Sequence, residues 1–312
     1  MKTIELFILI VIISLNSIFG QEGILDKTSF PILSGKYLGQ KVPGIKPELF
    51  APGIVSTKEY NDRDLTISPD GTQIFFARTK TSNHDDFDYD IMYSELEDGI
   101  WSEPEIAWFS SKYGEVEAFF TPDGKELYFN SNRPASGHGE AEHWETWVMK
   151  KDGDNWTAPE LIGPPFNRVC YTTFTQNGKM YYTREDLLSF FKVSYKNGIF
   201  GQPEKLDTII NSTKVQYNCF ISSDESYLIF VSRERNDGFG KGDLYVSFRN
   251  NSNEWCKPIN MGPEINSPEE ETCPSVSNDG KFLFFTSDKD GNNDVYWVSI
   301  KFLEKLKHTY NK

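Results

Sequence analysis

Leu65-Thr66-Ile67-Ser68-Pro69-Asp70-Gly71-Thr72-Gln73-Ile74-Phe75-Phe76 is the stretch that decides the fold. Two short β-rich runs flank a Ser-Pro-Asp-Gly turn. Proline presets φ for a type I turn, aspartate follows, and glycine takes the left-handed position, so the runs read as a tight hairpin. The turn returns as Thr121-Pro122-Asp123-Gly124, Thr175-Gln176-Asn177-Gly178, Ser222-Ser223-Asp224-Glu225 and Ser277-Asn278-Asp279-Gly280. Its Asp or Asn positions are separated by 53, 54, 47 and 55 residues. Glu225 stands where the other copies carry glycine, which predicts a strained or differently shaped fourth turn.

Working outward, an aromatic strand follows each hairpin, as in Ile91-Met92-Tyr93, Thr146-Trp147-Val148, Leu244-Tyr245-Val246 and Val295-Tyr296-Trp297. An aromatic-x-x-Pro element comes next: Trp101 to Pro104, Trp156 to Pro159, Phe200 to Pro203 and Trp255 to Pro258. Each unit thus offers four strands, A to D, with proline in the outermost, where a missing ladder donor is tolerated. Four-stranded antiparallel units at this period predict an all-β β-propeller.

Spacing sets the blade number. From each D-strand proline to the next turn Asp or Asn the distance is 19, 18, 21 and 21 residues. Pro47-Glu48-Leu49 resembles Pro104-Glu105-Ile106 and lies 23 residues before Asp70, so it reads as a D strand with no A, B or C before it. At the other end Asp279 opens a unit whose own proline would fall just past the last residue. Five four-stranded blades closed by an N-terminal strand follow. The alternative is a six-bladed TolB-like propeller, with residues 21–45 as a degenerate blade.

The repeat resembles the WD40-like propeller repeat of the TolB type, found in exported bacterial proteins. The residues that carry the likeness are the Ser/Thr-x-Asp-Gly turns, Leu127-Tyr128-Phe129-Asn130-Ser131-Asn132-Arg133-Pro134, Asp243-Leu244-Tyr245 and Trp101-Ser102-Glu103-Pro104. It covers residues 41 to about 303 and implies a fold, with protein docking among its uses, rather than one activity.

Composition and chain ends set further limits. With 24 Phe, 15 Tyr and 7 Trp the chain has too many apolar rings to stay unfolded. A net charge of −14 argues against a nucleic-acid partner. Lys2, the apolar run Leu6 to Ile13 and the small residues up to Gly20 read as a secretory signal peptide, too short to span a bilayer. The expected organisation is a signal peptide over 1–20, an irregular leader over 21–40, the propeller over 41–303 and a tail over 304–312. Phe302 to Lys307 reads as a short amphipathic helix on the rim. The expected location is periplasmic or extracellular, with a monomeric mature chain that has no transmembrane domain. Cys170, Cys219, Cys256 and Cys273 show no CxxC spacing, and their disulfide state is open.

Function is placed by chain direction. The A–B and C–D turns lie on one face. The B–C loops and D–A connections lie on the other, where propellers usually bind. There Asp62, Asp64, Glu115, Glu117, Tyr171, Gln216, Asn218 and Glu271 are expected to ring the channel mouth as ligand-binding residues, with loop aromatics Phe87, Trp144 and Phe239 nearby. The function expected is non-catalytic binding of a protein or carbohydrate partner at this face, without a cofactor. Whether the chain is an enzyme stays open, leaning against. The alternative is a glycoside hydrolase-like enzyme with Asp64, Glu117 and Glu271 at inner-strand starts, since carboxylates about 5–9 Å apart suit acid/base work on a sugar. Candidates for a divalent metal ion are His84, His138 and His143, by residue type, and Asp288 and Asp290 in the oxygen-rich run Asp288 to Asp294.

Overall fold

The recurrent turn folds as its chemistry dictates. In the computed structural model, which describes residues 30–310 apart from 84–87, 137, 141 and 197, Ser68 Oγ donates to Asp70 at 2.6 Å and accepts Gln73 N–H at 2.9 Å. Asp70 accepts Thr72 N–H at 3.0 Å, and Gly71 sits at φ 77°. Thr121 with Asp123, Thr175 with Asn177 and Ser277 with Asp279 repeat the hydroxyl bond. The residue choice is therefore local turn geometry. By contact the chain divides into two units, Met1–Pro31 and Ile32–Lys312, and the propeller lies in the second. The 1–20 segment read as a signal peptide lies outside the described residues.

Strand β1 (Glu48–Leu49) comes first. Blade one holds β2 (Asp62–Ile67), β3 (Gln73–Thr79), β4 (Tyr89–Glu97), β5 (Ile100–Trp101) and β6 (Glu105–Ile106). Blade two holds β7 (Glu115–Phe120), β8 (Glu126–Ser131), β9 (Glu145–Asp152), β10 (Asn155–Trp156) and β11 (Glu160–Leu161). Blade three holds β12 (Val169–Phe174), β13 (Lys179–Arg184), β14 (Ser189–Lys196), β15 (Ile199–Phe200) and β16 (Glu204–Lys205). Blade four holds β17 (Gln216–Ile221), β18 (Tyr227–Ser232), β19 (Asp243–Phe248) and β20 (Ile259–Asn260). Blade five holds β21 (Glu271–Val276), β22 (Phe282–Ser287) and β23 (Asp294–Ser299). All pairings within blades are antiparallel.

The ring closes as the spacing predicts. β1 pairs with β23, Glu48 opposite Trp297 and Leu49 opposite Tyr296, and supplies blade five with its outer strand. In blades one to three the D strand is split in two. β5 and β6 both pair with β4, and Pro104, which has no N–H to donate, lies in the gap between them.

One apolar cluster fills each seam. Phe75 and Ile91 meet Leu127 and Phe129 between blades one and two. Tyr128 and Val148 meet Phe174 and Tyr182 between two and three. Tyr181 and Phe190 meet Leu228 and Phe230 between three and four. Ile229 and Val246 meet Leu283 and Phe285 between four and five. Phe284 and Trp297 meet Leu65 and Phe76 between five and one. Helix α1 (Lys301–Tyr310) packs Phe302, Leu303 and Leu306 against the four–five cluster.

The segment before β1 is irregular but packed. Ser34 bridges to Ile100, and Trp101 Nε1 donates to Gly35 O at 2.7 Å in blade one. Tyr37 then lies edge-on to Phe282 and donates its hydroxyl to Asp279 in blade five. Leu38 is buried in the seam. Residues 33–40 thus strap blade one to blade five. Tyr37 and Leu38 both hold positive φ, 54° and 57°, a conformation costly for residues with a Cβ.

The fourth turn keeps the left-handed geometry without glycine. Glu225 sits at φ 59°. Its carboxylate accepts from Asn177 Nδ2 at 2.7 Å, Lys179 Nζ at 2.7 Å and Tyr181 OH at 2.6 Å, all on blade three. Although burial opposes the charge, these donors hold its carboxyl down at about 2. The turn is a clamp between two blades.

Candidate functional site: the axial channel

Four of the five inner strands open on a polar residue that caps the connection entering the blade, whereas β12 opens on the core residue Val169. Asp62 accepts Thr57 N–H and Oγ1–H at 2.9 and 2.7 Å and pairs with Arg78 at 2.6 Å. Glu115 accepts Ser111 N–H and Oγ–H at 3.2 and 2.5 Å and pairs with Arg133 at 2.8 Å. Glu271 accepts Ser267 N–H and Oγ–H at 2.8 and 2.6 Å, and Ser287 Oγ–H. Gln216 Nε2 donates to Asn211 at 2.6 Å. All four are fully buried. Burial raises Asp62 to about 6 against the pull of Arg78, and it raises Glu115 and Glu271 as well.

The third residue of every inner strand is left-handed. Asp64, Glu117, Tyr171, Asn218 and Cys273 stand at φ 59°, 60°, 52°, 50° and 54°, each inside a β-bulge of its strand. A bulge re-aims a side chain, and here five of them meet at the axis. Non-glycine residues there cost about 1–2 kcal/mol each, so something must hold them. Arg63 Nε donates to Asp64 at 3.0 Å, and its Nη2 to Cys273 Sγ at 2.9 Å. Cys273 N–H faces Asn218 Oδ1 at 3.4 Å, and Asn218 Nδ2 donates to Glu117 at 3.3 Å. Tyr171 N–H donates to the other Glu117 oxygen at 2.8 Å, and its hydroxyl to Pro274 O at 2.8 Å. The network touches all five blades.

Electrostatics in this girdle are tight. Burial and the charge of Asp64 push Glu117 up to about 7, against the pull of Arg63 and of its two donors. Burial also raises the thiols of Cys170 and Cys273. Arg63 keeps about a fifth of its side chain exposed.

Asp62, Asp64, Glu115, Glu117, Tyr171, Gln216, Asn218 and Glu271 do lie at the inner-strand starts, but all are buried. They cap connections or knit blades, because a carboxylate removed from water needs donors on every side. Arg63, Cys170 and Cys273 went unassigned as site residues. Cys273 was findable: it follows Glu271 by two positions, as Asp64 follows Asp62 and Glu117 follows Glu115.

Among the described residues no group of three or more His, Cys, Asp or Glu is placed to hold a metal ion. His143 Nδ1 lies 3.2 Å from Arg168, and Ser136 Oγ donates to His138 O. Asp288 accepts Glu270 N–H and Asp290 accepts Tyr296 OH, so both organise their loop. His84 and Phe87 lie outside the described residues. The four cysteines are free thiols.

Toward the Asp-Gly turns the axis opens into a funnel of about 470 Å³. Its floor takes one residue from the fifth position of each inner strand: Thr66, Phe119, Thr173, Phe220 and Ser275. Phe119 and Phe220 pack on Tyr171 and Cys273, an apolar plug between funnel and girdle. A second hollow of about 490 Å³ adjoins it, sharing Pro122, Phe174 and Gln176.

No family model matches this chain, and no curated protein matches it. Solved structures do. The putative TolB from Agrobacterium tumefaciens is 12% identical, with 77% of this chain and 78% of that chain covered at a TM-score of 0.48. TolB from Acinetobacter baumannii is 13% identical at 0.48, covering 77% of this chain and 57% of that one. The GH43 endo-arabinanase from Bacillus licheniformis is 10% identical at 0.48, covering 78% and 95%. The likeness is one of fold, and the five-bladed architecture rests on the strand pairing itself.

Proposed function

We propose that this chain is an exported β-propeller that binds a protein or glycan partner and carries out no chemistry of its own. The observation that carries the reading is the division of the axis. The inner-strand carboxylates are enclosed and bonded to the protein, whereas the hollow that gathers all five blades has Asp224 as its one carboxylate. Concave sites of a few hundred Å³ with scattered polar groups suit binding. Export follows from the reading of residues 1–20, and the acidic charge disfavours nucleic acid.

Glycan-array screening and partner pull-down with the mature protein, with and without divalent metal, test the proposal. Retention of a partner without turnover is the expected result. Turnover of a glycan would overturn it in favour of the second reading, a carbohydrate hydrolase. That reading is favoured by the enclosure of Asp64 and Glu117 at the starts of neighbouring inner strands, where burial and the charge of Asp64 raise the Glu117 carboxyl, and it requires Glu117→Gln to abolish the turnover.

A further inference from the structure

We infer that the funnel on the Asp-Gly turn face is the binding site, and that it seats a sugar ring of an uncharged carbohydrate. The inference rests on the binding reading above and adds the place and the chemistry. Three features select the ligand. First, all five blades line the funnel, one residue from the fifth position of each inner strand among them, and Phe119 in its lining packs edge-on to Tyr171, ring centroids 4.9 Å apart. A hollow of that size walled by all five blades takes a sugar ring or a chain end. Second, it is nearly free of charge on a molecule of net −14. Asp224 is the single charged side chain of its lining, and the Ser226 N–H is bonded to it at 3.0 Å. An anionic sugar or a phosphate would meet no cation there.

Third, the lining pairs apolar faces with neutral polar groups. Phe120 and Phe220 are half-buried and offer flat surface. Sugar rings present C–H faces that pack on such surface, and hydroxyls that need amide or hydroxyl partners. The rim supplies these. Gln176 N–H donates to Ser223 O at 2.9 Å, which joins turns three and four through the backbone and leaves both side chains exposed at the funnel. Thr173 and Ser275 donate to Cys219 O and Leu65 O in the next blades, so their hydroxyls serve the ring and not the ligand. The adjoining hollow, lined in part by Asp123, Lys125, Glu126 and Lys196, has room for further sugar units, so the charge argument holds for the funnel alone.

The test uses the mature protein on an array holding neutral glycans, acidic glycans and peptides, followed by titration of each hit. A doubly substituted variant, Gln176→Ala with Ser223→Ala, alters exposed side chains only, and Glu142→Ala on the opposite face is the control. Expected is binding of neutral glycans, weakened at least tenfold in the double variant and unchanged in the control. Binding confined to acidic glycans or peptides overturns the inference and keeps the binding reading. So does neutral-glycan binding that the double variant leaves intact, since it puts the site elsewhere. No retention on the array together with no captured partner in pull-down overturns both.

Discussion

Glu117 shows what a single residue contributes to an enclosed axis. Its carboxyl lies at about 7, raised by burial and by Asp64. An unfolded glutamate titrates near 4.3. The folded value is the higher one, so the stabilisation is fully present below the unfolded pKa and is lost as pH rises through the folded one. Between about pH 4.5 and 7 the girdle thus becomes progressively less stable, and above 7 it holds the whole penalty. Glu117→Gln keeps a carbonyl for the Tyr171 or Asn218 donor and removes the charge. Thermal melts should show the variant more stable than wild type at pH 8, by on the order of 1–3 kcal/mol, with the gap closing by pH 4.5. A constant gap across that range would assign the penalty to something other than protonation.

At the scale of elements, the strap before β1 matters beyond its lack of regular structure. Leu38 is 2% exposed in the seam between blades five and one. Leu38→Ala should destabilise by about 2–5 kcal/mol in a denaturant titration; a loss below 0.5 kcal/mol would mean the strap is held by Tyr37 and Trp101 alone. Much of the element plan was legible in the chain. Turn recurrence located the A–B hairpins, and Pro47-Glu48-Leu49 announced the closing strand. The strap was not legible, because a left-handed Tyr37-Leu38 pair exists only through contacts with Phe282, Trp297 and Asp279, far along the chain. The site was half legible for the same reason. The pattern located Asp62, Glu115 and Glu271, but their burial follows from Arg78, Ser111 and Ser267, which only the folded connections bring to them. Glu225 was visible as an exception to glycine. Its reason, the lysine, asparagine and tyrosine of the neighbouring blade, was not.

For the molecule as a whole, the five seams form a closed circuit, and the last of them is closed by one short strand together with the strap before it. Deleting residues 41–56 removes β1 together with Phe50 and Val55, both fully buried in the five–one seam. Each such side chain is worth about 1.5–3 kcal/mol, and the opened ring exposes the β23 edge to misassociation. The thermal midpoint should fall by many degrees and the protein should aggregate on heating; an unchanged midpoint would mean that the ring holds without its closing strand. Closure also sets a clock. Ser56 and Val295, hydrogen-bonded across that seam, are 239 positions apart. At roughly 5–20 residues per second of synthesis, the opening strand waits tens of seconds for a partner that does not yet exist. Until then four blades can be assembled, but the circle cannot.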